Sequence, residues 1–352
     1  MSRYLLSGYY GFGNAGDEAI LLAIIGDLRR QDPQAEITVL SANPDWTSRQ
    51  HSVRAIPRMS FWQAAAAMRS TDLLISGGGG LLQDSTSKRS PLYYLGLIRL
   101  ATWLGKPAMV YANSLGPLKQ PLNRRLTGRI LSRAAFITVR DAGSRRFLEE
   151  LGVSNPPIEE TADPVLLLDG PNPPTTARLV TFAIREWPSE HDFLAEVVSA
   201  GKRLLAAGFG VRFIPLHYSR DLELSIRLAD AVPGSSCLRE QLGVSDLLQA
   251  IAASEVVVGM RLHALIMAAI YQRPMVGIGY DPKVTGFLSS VEQPLAGMTE
   301  DLQADRIVDM VQSAWARRSE ISSELHIHVQ RLRQLAARNT EIAVSLAKGV
   351  RL

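Results

Sequence analysis

Short apolar runs alternating with helix-length amphipathic segments, in two successive series, constrain the fold of this 352-residue chain more than any other feature. The first series places strands at Tyr4–Tyr10, Glu36–Leu40, Val53–Ile56, Leu73–Ser76, Ala108–Ala112 and Phe136–Val139. Helical segments such as Asp17–Arg30, Ser60–Arg69, Leu92–Leu104 and Asn123–Ser132 separate them. Strands that are apolar on both faces need helices on both sides, which is the arrangement of a parallel sheet. The second series has strands at Leu179–Ile184, Val211–Pro215, Val256–Val258 and Met275–Ile278. Asp169-Gly-Pro-Asn-Pro-Pro-Thr-Thr176 follows neither period and reads as a linker. The expected architecture is α/β, with two doubly wound Rossmann-like domains facing across a cleft. Residues 1–170 form the first, 171–176 the linker and 177–300 the second. Residues 301–352 form C-terminal helices that are candidates to pack across both.

Composition narrows the class. Hydrophobic residues make up 46% and charged residues 20%, the balance of a soluble globular protein. The apolar run Ala19–Ile25 falls far short of the roughly 20 residues of a membrane span. The N-terminus reads as a first strand rather than a signal peptide, and the single cysteine, Cys237, permits no intrachain disulfide. A cytoplasmic location follows as the expectation. The net charge of +4 and pI near 9.3 suit a plain basic surface, anionic substrates or an anionic membrane surface. No motif supports nucleic acid as a partner.

Open α/β sheets bind ligands at the carboxyl ends of their strands, so the residues placed there carry the functional argument. In Glu255–Ala269 an apolar strand ends at Gly259 and an apolar helix begins within three residues, with Arg261 and His263 at the joint. A helix N-terminus adds inward N–H groups and partial positive charge. A guanidinium and an imidazole there suit an anion that must also exchange a proton. Lys283 lies beyond the next strand, either beside this joint or as a solvated lysine. His217, four residues before Asp221, ends another strand; Asp221 is equally suited to capping the turn.

The first half is less charged at the same edge. Gly11-Phe-Gly13-Asn14-Ala-Gly16-Asp17 matches G-x-G-x-x-G after a strand. A dinucleotide site also needs an acid at the end of the second strand, where this chain has Ser41-Ala-Asn43. Gly13, Asn14 and Asp17 instead suit neutral hydroxyls, with a plain tight turn as the competing reading. Gly77–Gly80, followed by Gln83 and Asp84, lacks the Lys-Ser/Thr of a phosphate loop. Gly78 and Gly79 allow close backbone approach to a ligand, or make a flexible loop. Arg140-Asp141 follows another strand. His326 and His328 point to different sides of a helix, and no metal-ligand spacing occurs.

Taken in order, Gly11–Glu18, Ser76–Gly80, Thr138–Asp141, Met260–Ala264 and Tyr280–Lys283 resemble the polysaccharide pyruvyl transferase family, in its bacterial cell-wall ketal-pyruvyl form. The resemblance runs from about Arg3 to Phe287. It implies a fold like that of two-domain GT-B glycosyltransferases and transfer of the enolpyruvyl group of phosphoenolpyruvate to a sugar as a pyruvate ketal, with phosphate release. The implied acceptor is N-acetylmannosamine in a lipid-linked cell-wall precursor. Arg261 and His263 are then donor-site residues, with Arg140 and Lys283 as companions.

This chemistry agrees with the residues. Phosphoenolpyruvate carries nearly three negative charges, so Arg140, Arg261, Lys283 and His217 form the expected donor set, with His263 donating a proton. Asp17 is the candidate to orient or deprotonate the acceptor hydroxyl. Gly13, Asn14, Gly78, Gly79, Gln83 and Asp84 are the other acceptor-side candidates, which makes the first domain the acceptor side. The expected partners are phosphoenolpyruvate as co-substrate and a lipid-linked or soluble saccharide, with no cofactor and no metal. A basic face or the terminal helix is a candidate for peripheral membrane contact at the inner face of the cell membrane; nothing specifies an oligomeric state. The competing readings are a GT-B glycosyltransferase using a nucleotide sugar and a non-catalytic sugar- or anion-binding module.

Overall fold

The computed structural model describes residues 1–84, 87–170 and 172–350. Pro171 of the expected linker and Arg351 and Leu352 of the expected C-terminal segment lie outside the described residues. The chain divides into two compact units. Unit 1 comprises Met1–Phe12, Asp17–Leu167 and the chain from Leu332 onward; unit 2 comprises Gly13–Gly16 and Leu168–Arg331.

Unit 1 is built from β1 (Arg3–Ser7), α1 (Ala15–Gln31), β2 (Glu36–Ser41), α2 (Pro44–His51), β3 (Arg54–Pro57), α3 (Phe61–Ser70), β4 (Leu73–Gly77), α4 (Ser90–Trp103), β5 (Ala108–Asn113), α5 (Pro121–Leu131), β6 (Phe136–Val139), α6 (Ala142–Glu150) and β7 (Ile158–Glu160). Its seven strands are all parallel, in the order β3-β2-β1-β4-β5-β6-β7. Every residue of β4, β5 and β6 is buried, which explains their unbroken apolar sequence. On one face, Ala64 and Met68 of α3, Tyr94 and Ile98 of α4, Leu131 of α5 and Leu148 of α6 share a core with Leu5, Leu74, Val110 and Ile137.

Unit 2 contains β8 (Leu179–Ala183), α7 (Phe193–Ala206), β9 (Gly210–Phe213), α8 (Tyr218–Ala231), β10 (Ser236–Cys237), α9 (Val244–Ala252), β11 (Val256–Gly259), α10 (Leu262–Ile270), β12 (Met275–Gly279), α11 (Pro282–Ser290), β13 (Leu295–Met298) and α12 (Ala304–Ala316). Its strands run parallel in the order β10-β9-β8-β11-β12-β13. The last helix, α13 (Arg318–Ala347), belongs to unit 2 up to Arg331 and to unit 1 from Leu332. Both units are therefore parallel-sheet, Rossmann-like α/β domains, as the alternation of the sequence requires. Among the described residues no helix is long and apolar enough to cross a membrane.

Each sheet reverses its strand order once, between β1 and β4 in unit 1 and between β8 and β11 in unit 2. At such a point the flanking connections leave in opposite directions and open a crevice outside the strand ends. The glycine-rich segments follow β1 and β4; Arg185 and the Arg261/His263 joint follow β8 and β11.

Some elements differ from the sequence expectation. Strand β1 stops at Ser7 rather than Tyr10, because the chain turns at Gly8 and the buried Tyr10 hydroxyl donates to the Gly77 carbonyl at 3.0 Å. The strand at Val211 stops at Phe213, before Pro215. Strands β7, β10 and β13 were not expected. They lie at sheet edges with at most four residues each, and their sequences, Ile-Glu-Glu, Ser-Cys and Leu-Ala-Gly-Met, carry no strand period.

Candidate functional site

In unit 2 the polar side chains gather around the switch point. Strand β11 ends against β8, where the Met260 N–H donates to the Ala183 carbonyl at 3.0 Å. Arg261 is the N-cap of α10 and gives that helix no side-chain cap. Its guanidinium turns instead to Asp221 in the first turn of α8, donating from Nε at 2.9 Å and from Nη2 to the other carboxylate oxygen. The Asp221 carboxylate also accepts the His217 backbone N–H at 2.8 Å, closing the start of α8. One buried acid thus caps α8 and aims Arg261. The pair leaves the Nη1 edge of the guanidinium as the part able to serve a ligand.

The two histidines flank the same short segment. Asn14 forms an antiparallel bridge with His217, and the Ala15 N–H donates to the Leu216 carbonyl at 3.0 Å. The His263 imidazole lies directly on Gly16: a Cβ there would stand 2.1 Å from Nδ1. Gly13 and Asn14, expected on the acceptor side, are therefore grouped with His217 and His263 in unit 2. Burial, reinforced by Arg261 and Arg220, pushes the His217 imidazole down to about 4 against the weaker opposing pull of Asp221. His217 is neutral near pH 7 and suits hydrogen bonding better than proton donation. Lys283 sits in the first turn of α11, its Nζ 3.4 Å from Asp281, the N-cap of that helix.

In unit 1, Gly78 and Gly79 follow β4 with φ of +62° and +73°. A Cβ on Gly79 would stand 2.8 Å from Asp17 Oδ1, so the absence of a side chain lets the loop approach that carboxylate. Gln83 is half-buried just beyond. Asp84 is buried and accepts from the backbone N–H groups of Lys119 and Gln120 at 2.7 and 3.0 Å and from Asn123 Nδ2 at 3.0 Å. Burial acts to raise its pKa, but these donors outweigh it and hold the carboxyl below its ordinary value. Its oxygens thereby organise the lead-in to α5. Arg140 is likewise engaged: Nε donates to Ser114 Oγ at 2.7 Å and Nη1 pairs with Asp163, both side chains about 5% exposed or less. Bringing Arg140 to a ligand requires breaking a buried ion pair, at a cost of about 3–5 kcal/mol.

A family model for polysaccharide pyruvyl transferase matches residues 14–282, well over half of the chain. The chain belongs to the polysaccharide pyruvyl transferase family. The amylovoran biosynthesis protein AmsJ of Erwinia amylovora is 21% identical to this transferase over 96% of this chain and 98% of that protein. Among solved structures, Anabaena Alr3699/HepE, crystallised with UDP and glucose, superposes with a TM-score of 0.65 at 13% identity, covering 99% of this chain and 100% of the other. MnaA of S. aureus, solved with UDP, gives 0.67 at 10% identity over 99% and 96%. E. coli ADP-heptose lipopolysaccharide heptosyltransferase II gives 0.51 at 13% identity over 91% and 100%. At these identities the likeness is one of fold, that of GT-B glycosyltransferases and epimerases.

One cation that the sequence places at a strand end, in Arg185-Glu186, has no role in the sequence-derived donor set. Arg185, just past β8, donates from Nη1 to the Tyr280 hydroxyl at 3.1 Å and lies over the rings of Trp187 and Tyr280, 5.1 and 4.9 Å from their centroids. It occupies the other side of the switch point from Arg261. The available signal was its place at a strand end, next to a tryptophan two residues on; Tyr280, 95 residues away, supplies the rest.

Proposed function

We propose that this transferase moves the enolpyruvyl group of phosphoenolpyruvate onto two hydroxyls of a saccharide, forming a pyruvate ketal and releasing phosphate. The observation that carries the reading is the α10 joint: a helix start without a side-chain cap, an arginine aimed by a buried carboxylate, and an imidazole one residue into the helix. The donor's anionic groups are assigned to the helix N–H groups, the Nη1 edge of Arg261, Lys283 and Arg185. His263, as imidazolium, delivers a proton to the methylene carbon while one sugar hydroxyl adds to C2. Neutral His217 holds a donor oxygen by hydrogen bond. Phosphate then leaves with the C–O electron pair, and the second hydroxyl closes the ketal at the same carbon. Of the two protons released by the hydroxyls, one restores His263 and the other leaves with phosphate or water. Asp17 orients the attacking hydroxyl. The acceptor in this reading is N-acetylmannosamine in a lipid-linked precursor, met at the inner face of the membrane.

The test is phosphate release from phosphoenolpyruvate across a panel of chromogenic and lipid-linked saccharides. The expected result is acceptor-dependent release, a product heavier by the pyruvate ketal, and loss of both in His263→Ala with unchanged circular dichroism. Stabilisation against heat by UDP-sugars but not by phosphoenolpyruvate, with no phosphate released, sinks the proposal in favour of a nucleotide-sugar glycosyltransferase.

A further inference from the structure

Charge is segregated along this chain to a degree that the net value of +4 conceals. Residues 46–140 contain fourteen Lys and Arg but two carboxylates, Asp72 and Asp84. Both acids are engaged, Asp72 by Arg3 and Asp84 by the lead-in to α5. This stretch forms α3, α4 and α5, which all pack on the same face of the unit 1 sheet. Each follows or returns to a parallel strand, so their first turns lie together along the carboxyl edge of that sheet.

These first turns are also where apolar side chains stand in water. Met59, Phe61 and Trp62 at the start of α3 are 78%, 61% and 80% exposed, and Leu122 at the start of α5 is 61% exposed. Phe61 and Trp62 pack edge to face with ring centroids 5.4 Å apart, presenting one aromatic prow. Contacts tie the three starts into a single rim. Arg58 lies 4.3 Å from the Tyr93 ring centroid in α4 and accepts its hydroxyl at the backbone carbonyl at 2.9 Å; Asn123 in α5 donates to the Lys88 carbonyl at 3.1 Å. Lys88, Arg89, Lys119 and Arg125 are exposed and lie just before or near the starts of α4 and α5, along the same rim.

We infer that this rim docks unit 1 on a bilayer containing anionic lipids, with Phe61, Trp62, Met59 and Leu122 entering the headgroup region and Lys88, Arg89, Lys119 and Arg125 meeting lipid phosphates. Aromatic and aliphatic tips beside cations, with Asp72 and Asp84 engaged elsewhere and the nearby Glu150 paired with Arg124 at 3.7 Å, are the chemistry of an interfacial anchor. A polyanion such as single-stranded nucleic acid answers the cations but leaves Met59 and Leu122 in water. The inference rests on this surface alone and stands or falls separately from the reaction assigned above.

The experiment is co-sedimentation of the full chain, without substrates, with vesicles of phosphatidylcholine alone or mixed with phosphatidylglycerol. The expected result is binding to the mixed vesicles that weakens as salt is added. Phe61→Ser with Trp62→Ser, and separately Lys88→Gln with Arg89→Gln, each lower the partition coefficient by on the order of tenfold or more. Both variants keep the parent's circular dichroism and its phosphate release with a soluble acceptor. Three results overturn the docking surface: no pelleting of the parent, equal pelleting with neutral vesicles, or undiminished binding by the aromatic variant. Displacement by a single-stranded polynucleotide together with that last outcome assigns the cations to nucleic acid instead.

Discussion

Gly16 joins sequence to chemistry through a missing atom. It sits in the first turn of α1, where alanine is the better helix former by about 1 kcal/mol. The imidazole of His263 fills the space a Cβ would take. Gly16→Ala is therefore expected to leave stability within about 1 kcal/mol of the parent while displacing the imidazole and lowering kcat by about a hundredfold. Denaturant unfolding and phosphate release, measured side by side, check both halves; parallel loss of stability and activity removes the positional role. His217 makes a second prediction. Its folded pKa of about 4 lies below the ordinary 6.5, so the unfolded chain binds the extra proton first. Stability from this group is full above pH 6.5 and falls as the pH drops towards 4, by about 2 kcal/mol allowing for solvent screening. The His217 ring proton followed by NMR should titrate near pH 4, and a midpoint near 6.5 refutes the burial argument. The sequence identified His217 and His263 from their places at strand ends. It could not show Gly16 against His263, because 247 residues separate them and no period links a loop to a distant helix.

At the scale of elements, Asp221 couples two helices with one carboxylate. It closes the start of α8 through His217 and holds Arg261 at the start of α10. Asp221 is 1% exposed and Arg261 13%, so neutralising the acid leaves a cation that is largely out of water. Asp221→Asn keeps an acceptor for the cap but removes the countercharge, with an expected cost of about 3 kcal/mol. Arg261, without its partner, then becomes a stronger anion site. Inorganic phosphate should raise the Tm of the variant by more than it raises that of the parent. Unfolding curves with and without phosphate decide this; an unchanged stability means that the ion pair carries no weight. The strand–helix pattern and most strand starts were legible in the sequence because buried parallel strands are continuous apolar runs. The edge strands β7, β10 and β13 were not, since an edge strand is short and half-buried and leaves no such run. Arg140 shows the same limit in a side chain: its position after β6 was visible, but its partner Asp163 lies beyond the next strand, where nothing marks it as the answering charge.

At the scale of the whole chain, α13 returns the C-terminus to the unit in which the N-terminus began. From Leu332 onward it belongs to unit 1, although its first residues belong to unit 2. The amphipathic, Arg- and Leu-rich sequence of this tail announced a helix but not its attachment, which depends on two polar residues in the interior. Asn339 is fully buried and accepts from Thr161 Oγ1 at 2.8 Å while donating to the Ala162 and Ala336 carbonyls at 3.1 and 2.9 Å. Next to it, Thr340 shares a 2.8 Å hydrogen bond with the buried Tyr111 hydroxyl of β5. Arg338 pairs with Glu159 of β7 at 3.1 Å. The α13 segment thus satisfies buried polar groups on β5 and on the residues that follow β7, where no water replaces the partner, and adds a half-exposed ion pair to the edge strand β7 itself. Asn339→Ala leaves the Ala162 carbonyl and the Thr161 hydroxyl without that side chain, at a cost of about 3 kcal/mol. Because these bonds lie within unit 1, faster hydrogen exchange is expected in β5, β7 and the end of α13, while the β8 and β11 amides of unit 2 keep their protection. Exchange that rises equally in both units, or in neither, contradicts the assignment of α13 as the fastener of unit 1.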